Sequence, residues 1–165
     1  MSDAFGKIIG FMLASVLLFI VPLTFYAGRQ QNLSQLYIIN DSIQLVESIK
    51  NTGVLTDDIY RGFEVNVFKL GGKYKIELSR THFEYDMDDT GDYVEREETY
   101  YTSQLMEEME VNGRIEFAVG DYVYIRVSRK EKGLIEKIGS CFMNYALPES
   151  EVLAFYGGYI KNESY

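Results

Sequence analysis

The sequence predicts an α+β fold in which an N-terminal transmembrane helix continues into an amphipathic helix packed on an antiparallel sheet domain. Three observations predict it. Ile8–Ala27 holds twenty residues without a charge, enough helix to span about 30 Å, the hydrocarbon thickness of a bilayer. From Leu36 to Ile49 apolar residues recur at three- and four-residue intervals. Further on, Tyr74–Ser79 and Tyr122–Ser128 alternate apolar and polar residues with the period of two that marks half-buried strands. Fourteen Tyr and ten Phe, with no Trp and two Pro, suit a β-rich domain with amphipathic aromatic surface.

The apolar run lies between Lys7 and Gly28–Arg29 and is apolar on all sides, so a helix lying on a surface does not describe it. Pro22 frees one carbonyl, which neighbouring structure can satisfy. A cleaved secretory signal would have a shorter apolar run and small residues before its cut, whereas Phe25-Tyr26-Ala27 puts a bulky residue at a site that should be small. Residues 1–28 therefore read as a single-pass membrane anchor and 29–165 as one soluble, acidic α+β domain. Met1–Ala27 contains one acid, Asp3, and one base, Lys7, so the whole net charge of −9 belongs to the domain, which has 24 acids and 15 bases. That balance repels phosphate and argues against nucleic-acid partners. Lys7 with the terminal amine, against Arg29, leans toward a cytoplasmic N-terminus at the cell membrane and a domain outside the cytoplasm.

After Gly28, Leu36, Ile39, Ile43, Val46 and Ile49 form one apolar stripe, with Gln35, Asp41, Gln44, Glu47 and Lys50 opposite. Anchor and stripe can form one helix of about forty-five residues, or hinge at Gly28; Asn51-Thr52-Gly53 supplies the stop. Thr56 then reads as an N-cap, with Asp57 and Asp58 in the first turn and Ile59, Phe63, Val67 and Leu70 as the buried face. Gly71-Gly72 ends this helix. The strand through Tyr74, Ile76 and Leu78 changes phase by Phe83 and Tyr85, which predicts a bulge or strand end near Arg80. An acidic loop, Asp86–Asp92, precedes the charged run Tyr93–Tyr101, suited to an exposed edge strand. Leu105, Met106 and Met109 suggest a short helix or turn. Arg114–Ser128 reads as a strand pair turned at Gly120-Asp121. Leu134, Ile135, Ile138, Phe142 and Tyr145 mark an amphipathic helix ending before Pro148, and Val152–Ile160 a last strand broken at Gly157-Gly158.

Motifs for catalysis are missing: no G-x-S-x-G, Walker loop, H-E-x-x-H or paired-Cys motif is present, so the chain is not expected to be an enzyme. No cofactor is expected. His82 reads as a structural or surface residue without a neighbouring ligand or nucleophile in the sequence, and Cys141 as a small core residue. One stretch carries inorganic chemistry. As a twelve-residue calcium loop, Asp86–Glu97 has Asp86 at position 1, Asp88 at 3, Thr90 at 5, Gly91 at 6, Asp92 at 7 and Glu97 at 12. Such a loop needs a helix on each side, whereas both flanks read as strand, so a solvated hairpin loop without metal is expected. The aromatic clusters Tyr100-Tyr101 and Phe155-Tyr156 with Tyr159 suit sheet packing, a ligand platform or a subunit interface.

Three stretches, Leu45–Tyr60 (LVESIKNTGVLTDDIY), Gly120–Val127 (GDYVYIRV) and Tyr156–Glu163 (YGGYIKNE), together with the overall plan, resemble pilin-like proteins. More narrowly the chain resembles minor pseudopilin subunits of tight-adherence (Flp-type) pilus systems of Gram-positive bacteria. That resemblance implies a structural component of a pilus-like or secretion assembly, with protein subunits and the lipid bilayer as partners. The chain departs from the prepilin pattern at the cleavage site: were Gly6 the residue cut after, the fifth mature residue would be Phe11 rather than Glu. A membrane-tethered extracytoplasmic binding or sensor module, with calcium, a glycan or a protein as ligand, is the competing expectation.

Overall fold

The structure, a computed structural model, describes residues 2–87, 93–131 and 151–162. Its first element is one unbroken helix, α1 (Ser2–Thr52), about 77 Å long at 1.5 Å per residue. Neither Pro22 nor Gly28 interrupts it. The choice between a continuous helix and a hinge at Gly28 therefore falls to continuity. Ser15, inside the apolar run, donates from its hydroxyl to the Phe11 carbonyl (2.8 Å), so that polar atom is satisfied within the helix. Gly53, at φ 68°, ends α1, its N–H donating to the Ile49 carbonyl at 2.7 Å.

Past α1 the chain alternates short and long elements: β1 (Val54–Thr56), α2 (Asp57–Phe68), β2 (Tyr74–Met87), β3 (Tyr93–Tyr101), α3 (Thr102–Asn112), β4 (Arg114–Glu116), β5 (Tyr122–Arg129) and β6 (Glu151–Tyr159). The fold is α+β, with a two-stranded sheet β1-β4 and a four-stranded antiparallel sheet ordered β3-β2-β5-β6. The core lies between the second half of α1 (Ile38, Leu45, Val46, Ile49), α2 (Tyr60, Phe63, Val67), α3 (Leu105, Met109) and one face of the larger sheet (Leu78, Val123, Ile125, Val127).

The amphipathic half of α1 is turned by about one position from the spacing-based expectation. Its buried side chains are Ile38, Ser42, Leu45, Val46, Ile49 and Lys50, while Leu36 is 62% exposed and Ile39 and Ile43 only half-buried. Apolar residues on both sides of the helix make two stripes possible, and packing selects one. In α2, Thr56 occupies the N-cap in an extended conformation but makes no side-chain cap bond. Tyr60 takes the buried position expected of Ile59, which stays exposed.

Three strand expectations are corrected. No bulge occurs at Arg80: β2 pairs in regular register with β5 from Tyr74 to Thr81 and with β3 from Ser79 to Met87. The phase change has another cause. Tyr74, Ile76 and Leu78 belong to the core face, whereas Phe83 belongs to the opposite face, where its ring meets Tyr159 at 6.2 Å. Arg114–Ser128 is not a hairpin, since β4 pairs with β1 (Leu55 opposite Ile115) and β5 joins the larger sheet. Alternation is the same whichever strand is the partner, and a three-residue β1 leaves little periodicity to detect. Nor is β6 broken at Gly157-Gly158; its irregularity lies where Val127 faces Ala154 and Ser128 faces Val152, leaving Leu153 as the extra residue.

The glycine pair serves close approach instead. A Cβ on Gly157 would stand 2.7 Å from the Tyr124 Cβ and 2.8 Å from the Val123 carbonyl oxygen. On Gly158 it would stand 3.0 Å from Lys50 Cε and Nζ, because the Lys50 stem lies across β6. Both sheet edges are managed. The β3 edge carries four consecutive charges, Glu95–Glu98. Beside β6, whose one charge is Glu151 at its start, runs α1, with Gln35 Nε2 donating to the Leu153 carbonyl (3.5 Å) and the Lys161 N–H to the Lys50 carbonyl (3.1 Å).

Candidate functional site

Strand parity sorts the aromatic residues onto two faces. Tyr100 and Tyr156 belong to the core side. The Tyr100 ring covers the Arg80 guanidinium at 4.5 Å, and the Tyr156 hydroxyl donates to Glu47 Oε1 at 2.8 Å. Their sequence neighbours Tyr101 and Phe155, with Tyr159, belong to the outer face and are more than half exposed. Each of the two clusters expected from sequence is thus split by the sheet. On the outer face Tyr122 meets Tyr159 edge-on at 5.0 Å, Tyr124 meets Phe155 at 5.3 Å, and Arg126 lies 5.4 Å from the Phe155 ring. Gly157 lies between these pairs, and the absence of a side chain there lets the rings close over β6. Ser79 and Thr81, both buried, form the small-residue floor toward β3, where Thr81 and Thr99 share a hydroxyl hydrogen bond of 3.1 Å. The result is a broad aromatic surface with hydroxyls at its margin, chemically suited to contact another surface.

Tyrosine acidities follow their partners. The hydrogen bond to Glu47 raises the Tyr156 hydroxyl, and that to Glu95 raises Tyr85, because a nearby carboxylate opposes phenolate formation. Glu47 shifts oppositely. The bonds it accepts from Lys50 and Tyr156 hold its carboxyl below the ordinary 4.5. Burial raises Tyr60 far above the usual phenol range.

His82, isolated in sequence, has a partner 39 residues on: its Nδ1 lies 2.6 Å from Asp121 Oδ1. Asp121 is 3% exposed, and its other oxygen accepts from the Ala118 N–H at 3.1 Å. The Asp121 carbonyl accepts from Ile160 at 2.8 Å, so the pair ties β2 to the turn before β5 and to the end of β6. The signal available beforehand was the Gly120-Asp121 turn, which places an acid at a tight bend, but nothing local gives its contact with β2. Arg80 was likewise missed. Its Nη1 donates to the Glu116 carbonyl (2.8 Å), and Nη2 lies 3.7 Å from Glu108, linking the two sheets through α3. A polar groove of about 480 Å³ between Thr56, Glu108, Asn112 and Arg114 adjoins it.

Of the calcium-loop residues, Asp88, Thr90 and Asp92 lie outside the described residues. Asp86 is in β2 opposite Val94, and Glu97 is in β3 opposite Phe83. Both flanks are strand, so a helix–loop–helix frame is not built around this segment. Glu97 sits four residues beyond Tyr93, about 13 Å along the strand. Among the described residues no group of three His, Cys, Asp or Glu is placed to hold a metal ion. Cys141 and the amphipathic stretch Leu134–Tyr145 also lie outside the described residues.

Ile8–Ala27 forms the apolar part of the one helix long and apolar enough to cross a membrane among the described residues, and none of its most apolar window is buried. Phe11, Leu18, Phe19 and Phe25 are each about 70% exposed or more. Comparison with protein-family models, with curated proteins and with solved structures finds no match.

Proposed function

We propose that this chain is a single-pass membrane subunit of a pilus-like or secretion assembly, with Ile8–Ala27 in the bilayer and the acidic domain held outside the cytoplasm. The observation that carries this reading is the continuity of α1. A helix whose first half exposes the uncharged run from Ile8 to Tyr26, and whose second half is part of a domain core, couples the domain to the bilayer without a linker. Such coupling sets the height and rotation of the domain, which a component of an ordered assembly requires. A sensor or adhesin that searches for ligand gains nothing from it. The resemblance to pilin-like subunits agrees in plan, and the missing catalytic motifs agree with a structural role. The membrane part is tested by charging the helix at mid-span. One charge there costs only about 2.5–3.5 kcal/mol on insertion scales, so Val16→Asp and Ile20→Arg are combined. The double variant is expected to leave carbonate-washed membranes; retention there would refute the anchor.

A second reading has its own support. The exposed aromatic face around Tyr124, Phe155 and Tyr159 is chemically suited to ligand contact, which favours a membrane-tethered binding module. In that case Tyr124→Ser with Phe155→Ser would abolish binding to a ligand while leaving co-purifying subunits unchanged. The assembly reading expects the reverse.

A further inference from the structure

We propose that the free edge of β3 takes up an extended segment of another protein that carries lysine or arginine at alternate positions, pairing with it backbone to backbone at Glu95, Glu97 and Thr99. The proposal stands on the sheet alone and holds under either reading of the function. β5 pairs with β2 only as far as Thr81, so beyond it β2 and β3 continue as a two-stranded ribbon to Met87 and Tyr93. Two strands alone are marginal in water, and a third is what makes such a sheet stable.

Which backbone groups are free follows from the pairing. The Thr102 hydroxyl accepts from the Leu78 N–H (2.8 Å) and donates to the Leu78 carbonyl (2.9 Å), so the backbone groups of Leu78 face β3. By alternation those of Arg80, His82 and Glu84 face it too, and their opposites Tyr100, Glu98 and Arg96 face back toward β2. The N–H and C=O groups of Glu95, Glu97 and Thr99 therefore point outward, and among the described residues no hydrogen bond reaches them. The segment 132–150 is too short to reach Glu95. The residues that bound it lie at the far end of the sheet, where the Lys130 N–H donates to the Lys73 carbonyl (2.8 Å) and Glu151 is opposite Arg129. Its nineteen residues, fully extended out and back, reach about 34 Å. Glu95, opposite Tyr85, lies eleven residues of β2 beyond Tyr74, about 37 Å away, and Glu97 about 31 Å, near the limit of that reach.

Charge names the occupant. Residues 82–98 hold eight acids and one base, so seven of the nine net negative charges of the chain belong to this ribbon and its turn. Glu95 and Glu97 are exposed on one face, where the Tyr85 hydroxyl donates to Glu95 at 3.1 Å. A second copy is a poor occupant: paired antiparallel about Arg96, it sets Glu95 against Glu97 and arginine against arginine. In a strand with lysine or arginine at every second position, those side chains fall opposite Glu95 and Glu97. The charges that guard the edge against its own kind thus select a basic strand.

The test titrates the full chain in detergent with fluorescent nine-residue peptides in which lysine and valine alternate. Residues opposite Glu95 and Glu97 exchange both backbone bonds with them, so the lysines carry the N–H groups that face β3. N-methylation of the lysines removes these donors, whereas N-methylation of the valines leaves them in place at the same charge. Binding about tenfold or more weaker for the first peptide than for the second is expected, with slowed amide exchange at Glu95, Glu97 and Thr99 on binding the second. Glu95→Gln with Glu97→Gln should weaken the valine-methylated peptide several-fold, and Glu95→Lys with Glu97→Lys should turn the preference to a peptide alternating glutamate and valine. Equal affinity of the two methylated peptides would leave only a charged surface and overturn the strand site. Binding of neither peptide, or an affinity unchanged in the glutamine variant, would overturn it as well.

Discussion

Replacing Gly157 by Ala probes the contact between the aromatic face and the sheet beneath it. The added methyl carbon would stand 2.7 Å from Tyr124 Cβ, 2.8 Å from the Val123 carbonyl oxygen and 2.9 Å from the Tyr122 hydroxyl. Two of these three atoms are fixed by the β5 backbone, which pairs with β6 on one side and β2 on the other. Relief therefore requires the strands to spread, not a side chain to rotate. Overpacking of this kind costs about 1–3 kcal/mol, and the lower chain entropy of unfolded Ala offsets about 0.4–1. A net loss of about 1.5–2 kcal/mol is expected, and for a domain of this size that lowers the melting temperature by about 5–8 °C. Gly158→Ala is the control. Its methyl carbon meets only the far end of Lys50, at 3.0 Å, and that stem can swing aside. Thermal unfolding of the full chain in detergent, followed by near-UV circular dichroism, separates the two. The reasoning fails if Gly157→Ala melts no lower than the parent, or if Gly158→Ala loses more than Gly157→Ala.

Ser42 is fully buried on α1 with no hydrogen-bond partner for its hydroxyl among the described residues. Ser42→Ala should therefore stabilise the domain by about 1 kcal/mol, removing an unpaired polar atom and improving helix propensity; an unchanged or lower urea midpoint would contradict this. Glu47 supplies the pH dependence. Its folded pKa lies below the ordinary 4.5, so its contribution is present above that value and is lost as pH falls through the lower folded value. The fall in urea midpoint from about pH 5 to pH 3 should be smaller in Glu47→Gln; an identical fall would exclude Glu47 as its source. Calcium is expected to leave the melting temperature within about a degree of that in chelator. A rise of several degrees, lost on Asp86→Asn with Asp88→Asn, would establish a metal site in the acidic loop.

The sequence by itself determined the features that depend on near neighbours along the chain. A twenty-residue uncharged run dictates a long apolar helix, Gly53 after Asn51-Thr52 ends it, and Thr56 with two Asp after it starts α2. The α+β class and the charged edge strand β3 were legible for the same reason. What only the tertiary structure decided are choices among partners that local chemistry leaves equal. Which side of α1 is buried depended on the shape of the sheet it meets, and β4 could pair with β1 or β5 without any change in its own alternation. The candidate site shows this most plainly. Tyr100 and Tyr101 are adjacent in the chain, yet one covers the Arg80 guanidinium and the other faces outward, because successive residues of a strand point to opposite faces. His82 and Asp121 are 39 residues apart and 2.6 Å from contact to contact, a distance set by the register of β2 and β5 and by the turn at Gly120.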